Sequence, residues 1–184
     1  MAWNAPITWT PGQTLTAALL NAQLRDNMLE TMPGKVTGAN QYLTCTSSGV
    51  IQERKIAVDW ALTDGTRTSA SYGDLSGGGT GPSVTLSTGQ NAIVVISCAQ
   101  VNESADWNEV MSSHAVSGAS SIAATDNYCI KTNETNNNTI QASHVMCHDG
   151  TLSTGTNTFT MQYRVGTGGN TGRFSKREIM VLPQ

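Results

Sequence analysis

Apolar and polar residues alternate along most of this chain, with the two-residue period of a β-strand. The alternation is clearest near the end. In Thr158–Val165 the residues Phe159, Met161 and Tyr163 share a face, with Thr158, Thr160, Gln162 and Arg164 opposite. A glycine-rich stretch, Gly166–Gly172, leads into a second alternating run, Phe174–Leu182. Two such runs flanking a turn predict a β-hairpin that closes a sheet. Truncating the final strand is then expected to damage the fold. Further strands are predicted at Gln41–Thr46, Arg54–Trp60, Ser83–Ser87, Ala92–Ala99, Trp107–Met111, Tyr128–Lys131 and Thr139–Met146. Breakers such as Ser47-Ser48-Gly49, Gly77–Pro82 and Asn136-Asn137-Asn138 separate them. About eight or nine short strands predict a mainly β chain folded as an antiparallel jelly-roll sandwich. The Thr-, Ser- and Gly-rich stretch Ala61–Gly81 reads as a long loop. Ile93-Val94-Val95-Ile96 is apolar on both faces. It is expected to be an interior strand, covered by the opposing sheet on one side and by a neighbouring subunit on the other. Ile93 and Val95 are therefore candidate subunit contacts.

The period changes to that of a helix only between Thr14 and Met32. Thr16 is placed to cap it, and Leu15 to staple onto Leu20. Leu20, Leu24 and Met28 recur four residues apart and make one stripe. Pro33-Gly34 ends the helix. A helix this short is not stable alone, so the stripe must be buried. Either it packs on the chain's own β-domain, or it forms a coiled-coil seam between copies. The seam is favoured, because the helix precedes the sheet domain instead of interrupting it. Before the helix, Met1–Thr10 carries Trp3, Pro6, Ile7 and Trp9. Such an arm packs either on its own protein or on a partner. Two parts result: residues 1–36, an arm and one α-helix for anchoring and trimerisation, and residues 37–184, the β-domain.

Composition narrows the function. Of the 184 residues 38% are hydrophobic and only 12% charged, with a net charge of -3. Low charge suits hydroxyl-rich strands and burial at subunit contacts. No basic run suggests nucleic acid. The longest apolar run, Ala92–Ile96, is far too short to span a bilayer, and no secretory leader is evident, so synthesis in a cytoplasm is expected. Cys45, Cys98, Cys129 and Cys147 show no close metal-ligand spacing, and in that compartment free, buried thiols are expected.

His144, Cys147 and His148, with His114 or Cys129, invite a zinc reading. On a strand, however, His144 and His148 face one way and Cys147 the other, so three ligands do not converge. A buried or interfacial histidine pair is the ordinary alternative, and neither metal nor cofactor is expected. No GxSxG, HExxH, P-loop or GxGxxG pattern is present. Glu103, Asp106 and Glu109 surround Trp107, which allows a glycan site with Asp106 and Trp107 as contacts, or a glycosidase pair. The competing reading is a solvated strand start.

Two regions carry a family resemblance. Trp9-Thr10-Pro11-Gly12-Gln13-Thr14-Leu15-Thr16, continuing to Leu24-Arg25-Asp26-Asn27, resembles an N-terminal signature of tailed-bacteriophage virion proteins. Ser113–Ala119, Ala123–Asp126 and Asn157–Pro183 resemble the trimeric jelly-roll heads of phage fibres and decoration proteins, which are similar to the tumour-necrosis-factor-like fold. Together these segments cover about half the chain. The resemblance implies a non-enzymatic homotrimer in the virion. Trp3, Ile7 and Trp9 would anchor it to the major capsid protein or another virion protein, and Leu20, Leu24, Met28, Ile93 and Val95 would form the trimer contact. It would serve as capsid decoration or head fibre; the alternative is a minor tail or baseplate protein that binds host surface glycans.

Overall fold

The computed structural model describes residues 7–29, 36, 38–45, 49–104, 107–134 and 138–184. The chain divides into two compact units, Met1–Lys55 and Ile56–Gln184. The first predicted strand is thus counted in the first of these units.

In the first unit, helix α1 (Ala17–Leu20) passes through a π-turn (Asn21–Arg25) into α2 (Asp26–Leu29). Thr16 caps the start as expected, its Oγ1 accepting from the Leu19 N–H at 3.2 Å. The π-turn is marked by the Asp26 N–H donating to the Asn21 carbonyl, five residues back. The predicted helix end at Met32 lies outside the described residues. Strands β1 (Gln41–Cys45) and β2 (Ile51–Lys55) pair antiparallel, from Gln41 opposite Lys55 to Cys45 opposite Ile51.

The second unit is a sandwich of two antiparallel sheets. Its strands are β3 (Ala57–Ala61), β4 (Gly65–Arg67), β5 (Ser83–Thr88), β6 (Ala92–Asn102), β7 (Asn108–Gly118), β8 (Ile130–Glu134), β9 (Ile140–His148), β10 (Gly155–Val165) and β11 (Gly172–Pro183). One sheet runs β3-β11-β6-β9, with β4 also on β11; the other runs β5-β10-β7-β8. Leaving out the short β4, the eight strands follow the order of a jelly roll, first beside last and second beside seventh, with β7 and β8 the one consecutive pair in a single sheet. The predicted fold class is therefore the observed one.

Several local expectations differ. The C-terminal runs do not form a hairpin: β10 and β11 lie in opposite sheets. Each has one apolar face, and the two faces pack on each other instead of lying side by side. Tyr163 and Phe174 meet with ring centroids 4.9 Å apart. The predicted strand Arg54–Trp60 divides at Ile56 between β2 and β3. The predicted loop Ala61–Gly81 contains β4 and is tied to the sandwich by a bridge from Gly73 to Tyr163. Ile93–Ile96 does lie in an interior strand, β6, between β11 and β9.

The core is filled by Val94, Ile96, Val110, Val116, Phe159, Met161, Tyr163, Val165, Phe174, Ile179 and Val181. Phe174 and Ile179 are five residues apart, so strict alternation would point one of them outward. A β-bulge resolves this. Ser175 pairs with Ala99 and Glu178 with Ser97, leaving one extra residue on β11, and Lys176 takes a φ of 45°. The bulge turns Arg177 into the interior, where it is fully buried. Its Nη2 donates to the carbonyls of Thr63 and Gly78, both at 2.9 Å, and the guanidinium lies 5.6 Å from the centre of the Tyr163 ring.

Polar residues also join the two sheets at both ends of β6. Gln100 donates to the Val110 carbonyl at 2.9 Å and accepts from the Ser112 hydroxyl at 3.0 Å. At the other end, His148, opposite Ala92, reaches His114 of β7. Arg177→Ala would remove both hydrogen bonds and leave a cavity where the buried side chain stood. It should lower stability by about 3 kcal/mol in urea unfolding; a loss within experimental error would show that the buried cation does not hold the bulge.

Candidate functional site

The two outer faces of the sandwich differ in chemistry. On the β5-β10-β7-β8 sheet, the face turned from the core carries Ser83, Thr160 and Ala115 in one row and Thr85, Thr158 and Ser117 in the next. Its hydroxyls pair: Ser83 with Thr160 and Thr85 with Thr158, both at 2.8 Å. A face of satisfied hydroxyls is at home in water.

The β3-β11-β6-β9 sheet is the opposite. Val58, Met180, Val95 and Val145 form a row across its outer face, and Leu182, Ile93 and Cys147 form the next. A third row is Trp60, Glu178, Ser97 and Ser143. Trp60 is 64% exposed, Leu62 just beyond it 71% and Val145 59%. Ile93 and Val95 are half-buried at the centre of this patch. At its end, Trp60, Leu62, Ser97, Gln141, Lys176 and Glu178 border a hollow of about 280 Å³. Of the residues on this face, Ile93 and Val95 were expected from the sequence to point outward, whereas Val58, Trp60, Val145, Met180 and Leu182 were not. The signal was available in the alternation: beyond the bulge the outward positions of β11 are Glu178, Met180 and Leu182, where a solvated face would carry more polar residues.

In the first unit, Ile7, Trp9, Leu15, Leu20 and Leu24, with Thr10, Gln13 and Gln23, line an apolar cleft of about 570 Å³. Two groups assigned different tasks, arm residues for anchoring and helix residues for a seam, thus share one surface. Leu24 is 58% exposed and Met28, which does not line the cleft, 69%. Trp3 lies outside the described residues.

Trp107 stands well out from the start of β7, 73% exposed, and Asp106 lies outside the described residues. Of the carboxylates expected around Trp107, the two that are described, Glu103 and Glu109, are engaged by cations. Arg173 donates to Glu103 at 2.5 Å and also to Asp64, while Glu109 pairs with Lys131. The second ion pair lies across neighbouring strands, since Glu109 and Lys131 sit on β7 and β8. These pairs serve the fold and leave no free carboxylate couple among the described acids at this loop.

The buried histidine pair is His114 with His148, not the neighbours His144 and His148. The Nε2 atoms are 3.0 Å apart, and both rings lie against Phe159. His148 Nδ1 also lies 3.1 Å from the Thr151 hydroxyl, while His114 Nδ1 is buried without a partner. One tautomer pair leaves no buried N–H orphaned: His114 donates from Nε2 to His148, and His148 donates from Nδ1 to Thr151. Burial, with His148 and His144 adding to it, pushes the His114 pKa down to about 3, and burial lowers that of His148. Among the described residues no group of three or more His, Cys, Asp or Glu is arranged to hold a metal ion. All four cysteines are free, but only Cys98 is buried; Cys45 and Cys147 are exposed, against expectation. Cys147 is exposed because alternation along β9 turns it outward, opposite His148.

Comparison with protein-family models and with curated proteins returns no match. The histidine pair generates a pH dependence. A histidine in the unfolded chain takes up a proton near its ordinary 6.5, whereas His114 stays neutral in the fold to about 3. The unfolded state then binds more protons below 6.5, and stability falls as pH drops. From about pH 7 to pH 5 the loss should be about 2 kcal/mol from this group, measured by urea unfolding. His114→Leu should flatten the profile; an unchanged slope would assign the dependence elsewhere.

Proposed function

We propose that this chain is a non-enzymatic, homotrimeric bacteriophage virion protein, a capsid decoration or head-fibre protein made in the host cytoplasm. Its N-terminal unit attaches it to the major capsid protein or another virion protein, and its jelly roll projects from the particle. The observation that carries this reading is the apolar cleft of Ile7, Trp9, Leu20 and Leu24, ahead of a β-domain of jelly-roll topology. An exposed cleft of that kind is suited to taking an apolar segment of a neighbouring protein. The motif around Trp9–Asn27 points the same way by resemblance. Three such units on one axis would add avidity, so each contact need not be tight.

One observation favours a second reading, a tail or baseplate protein that binds host surface glycans. Trp107 offers an indole face to solvent on a loop of the β-domain, and such faces stack on sugar rings.

Attachment is tested by adding purified protein to particles that lack it. Trp9→Asp, at an exposed position, should leave the fold intact and weaken particle binding at least tenfold, since it places a charge in an apolar contact. Binding equal to the parent chain would remove the anchor assignment. Immunogold labelling should decorate heads; label confined to the tail, with loss of host binding in Trp107→Ala, would replace the first reading with the second.

A further inference from the structure

We propose that the outer face of the β3-β11-β6-β9 sheet is the surface through which copies of this chain bind one another, each jelly roll packing this face against its neighbours around a shared axis. The proposal rests on the homotrimeric reading and names the partner of the β-domain, which is a second copy.

The face is apolar over rows that cross the whole sheet: Val58, Met180, Val95 and Val145, with Leu182, Ile93 and Cys147 beside them. Strands lie about 4.8 Å apart and same-face residues repeat about every 6.7 Å, so the seven positions of these two rows cover about 225 Å². That is a little over a quarter of what each partner gives to an interface of standard size, roughly 800 Å². It is therefore the apolar core of a contact, with the polar rim still to be supplied. The hollow at its end supplies that rim. Lys176 and Glu178 border it with Ser97 and Gln141, and Trp60 and Leu62 stand beside it.

The rim favours a second copy as the occupant. It carries one cation and one anion, so an identical surface offers Glu178 for Lys176 and Lys176 for Glu178. A strongly acidic or basic partner would find one of these opposed. The apolar core asks for an apolar surface in return; around a three-fold axis the contacts are heterologous, and the part of this face nearest the axis meets the corresponding part of both neighbours. Among the described residues the outer face of the opposite sheet shows no comparable apolar rows, and Ser83–Thr160 and Thr85–Thr158 pair their hydroxyls there. The association surface thus belongs to one sheet of the sandwich.

The full-length chain provides the test. Val145 and Ser117 are both exposed in the single chain, one on each outer face. In sedimentation velocity the parent protein should run as a trimer. Val145→Glu should raise the trimer dissociation constant at least about a hundredfold, with the circular dichroism spectrum and melting cooperativity of a folded sandwich. Ser117→Glu should leave assembly unchanged. If Val145→Glu and Trp60→Ser both assemble like the parent, the face assignment is overturned while the trimer stands. If the parent is a monomer at every concentration, both fall. Maleimide labelling of Cys147 gives a measure that requires no charge on the face. Labelling much slower in the native protein than in urea supports the contact; equal rates overturn it.

Discussion

A β-sheet has two faces, and a two-layer sandwich of β-sheets buries only one face of each. In this chain that limit decides the rest. The inner faces meet through Phe159, Tyr163, Phe174, Ile179 and Val181 and become dry. The outer faces are left to the sequence. One was given hydroxyls that satisfy each other; the other was given valines, isoleucine, leucine, methionine and tryptophan. Burial of apolar surface contributes roughly 25 cal/mol per Å², so leaving about 225 Å² of it wet forgoes at most about 6 kcal/mol. An assembling protein recovers part of that on association, after the cost of immobilising its partners.

The interior is arranged so that this outer face comes out continuous. The bulge at Lys176 changes the phase of β11, turning Ile179 and Val181 inward and Met180 and Leu182 outward. Arg177, carried inward by the same bulge, is held by two carbonyls and an aromatic ring. A buried cation is seldom the most stable way to fill a core; here it sits at the one-residue shift of register on β11. Gln100 and the His114–His148 pair fix the relative position of the sheets at the two ends of β6. These contacts specify geometry more than they add stability.

Much of this was legible in the sequence. The period-two pattern identified a β-domain, the alternation of Phe159, Met161 and Tyr163 identified an inward face, and Ile93–Ile96 identified an interior strand. Pairing between strands was not legible. Two amphipathic strands around a glycine-rich turn can lie edge to edge or face to face, and local pattern does not distinguish them, so β10 and β11 were expected as a hairpin. The five-residue spacing of Phe174 and Ile179 did signal a break in alternation, but only the pairing partner shows on which strand the extra residue sits. The histidine pair was hidden for the same reason, since His114 and His148 come from opposite sheets. The shared cleft of Trp9 and Leu24 depends on how the arm returns to the helix, which the helical stripe alone does not determine.

Hydroxyl-radical footprinting of the native full-length protein tests the central claim most directly, because the chain contains its own control. In the single chain Trp60 is 64% exposed and Trp107 73% exposed, so an isolated molecule would oxidise both at comparable rates. Association through the β3-β11-β6-β9 face predicts strong protection of Trp60, together with Met180 on the same face, while Trp107 reacts freely. Equal oxidation of Trp60 and Trp107 in the native protein would contradict it.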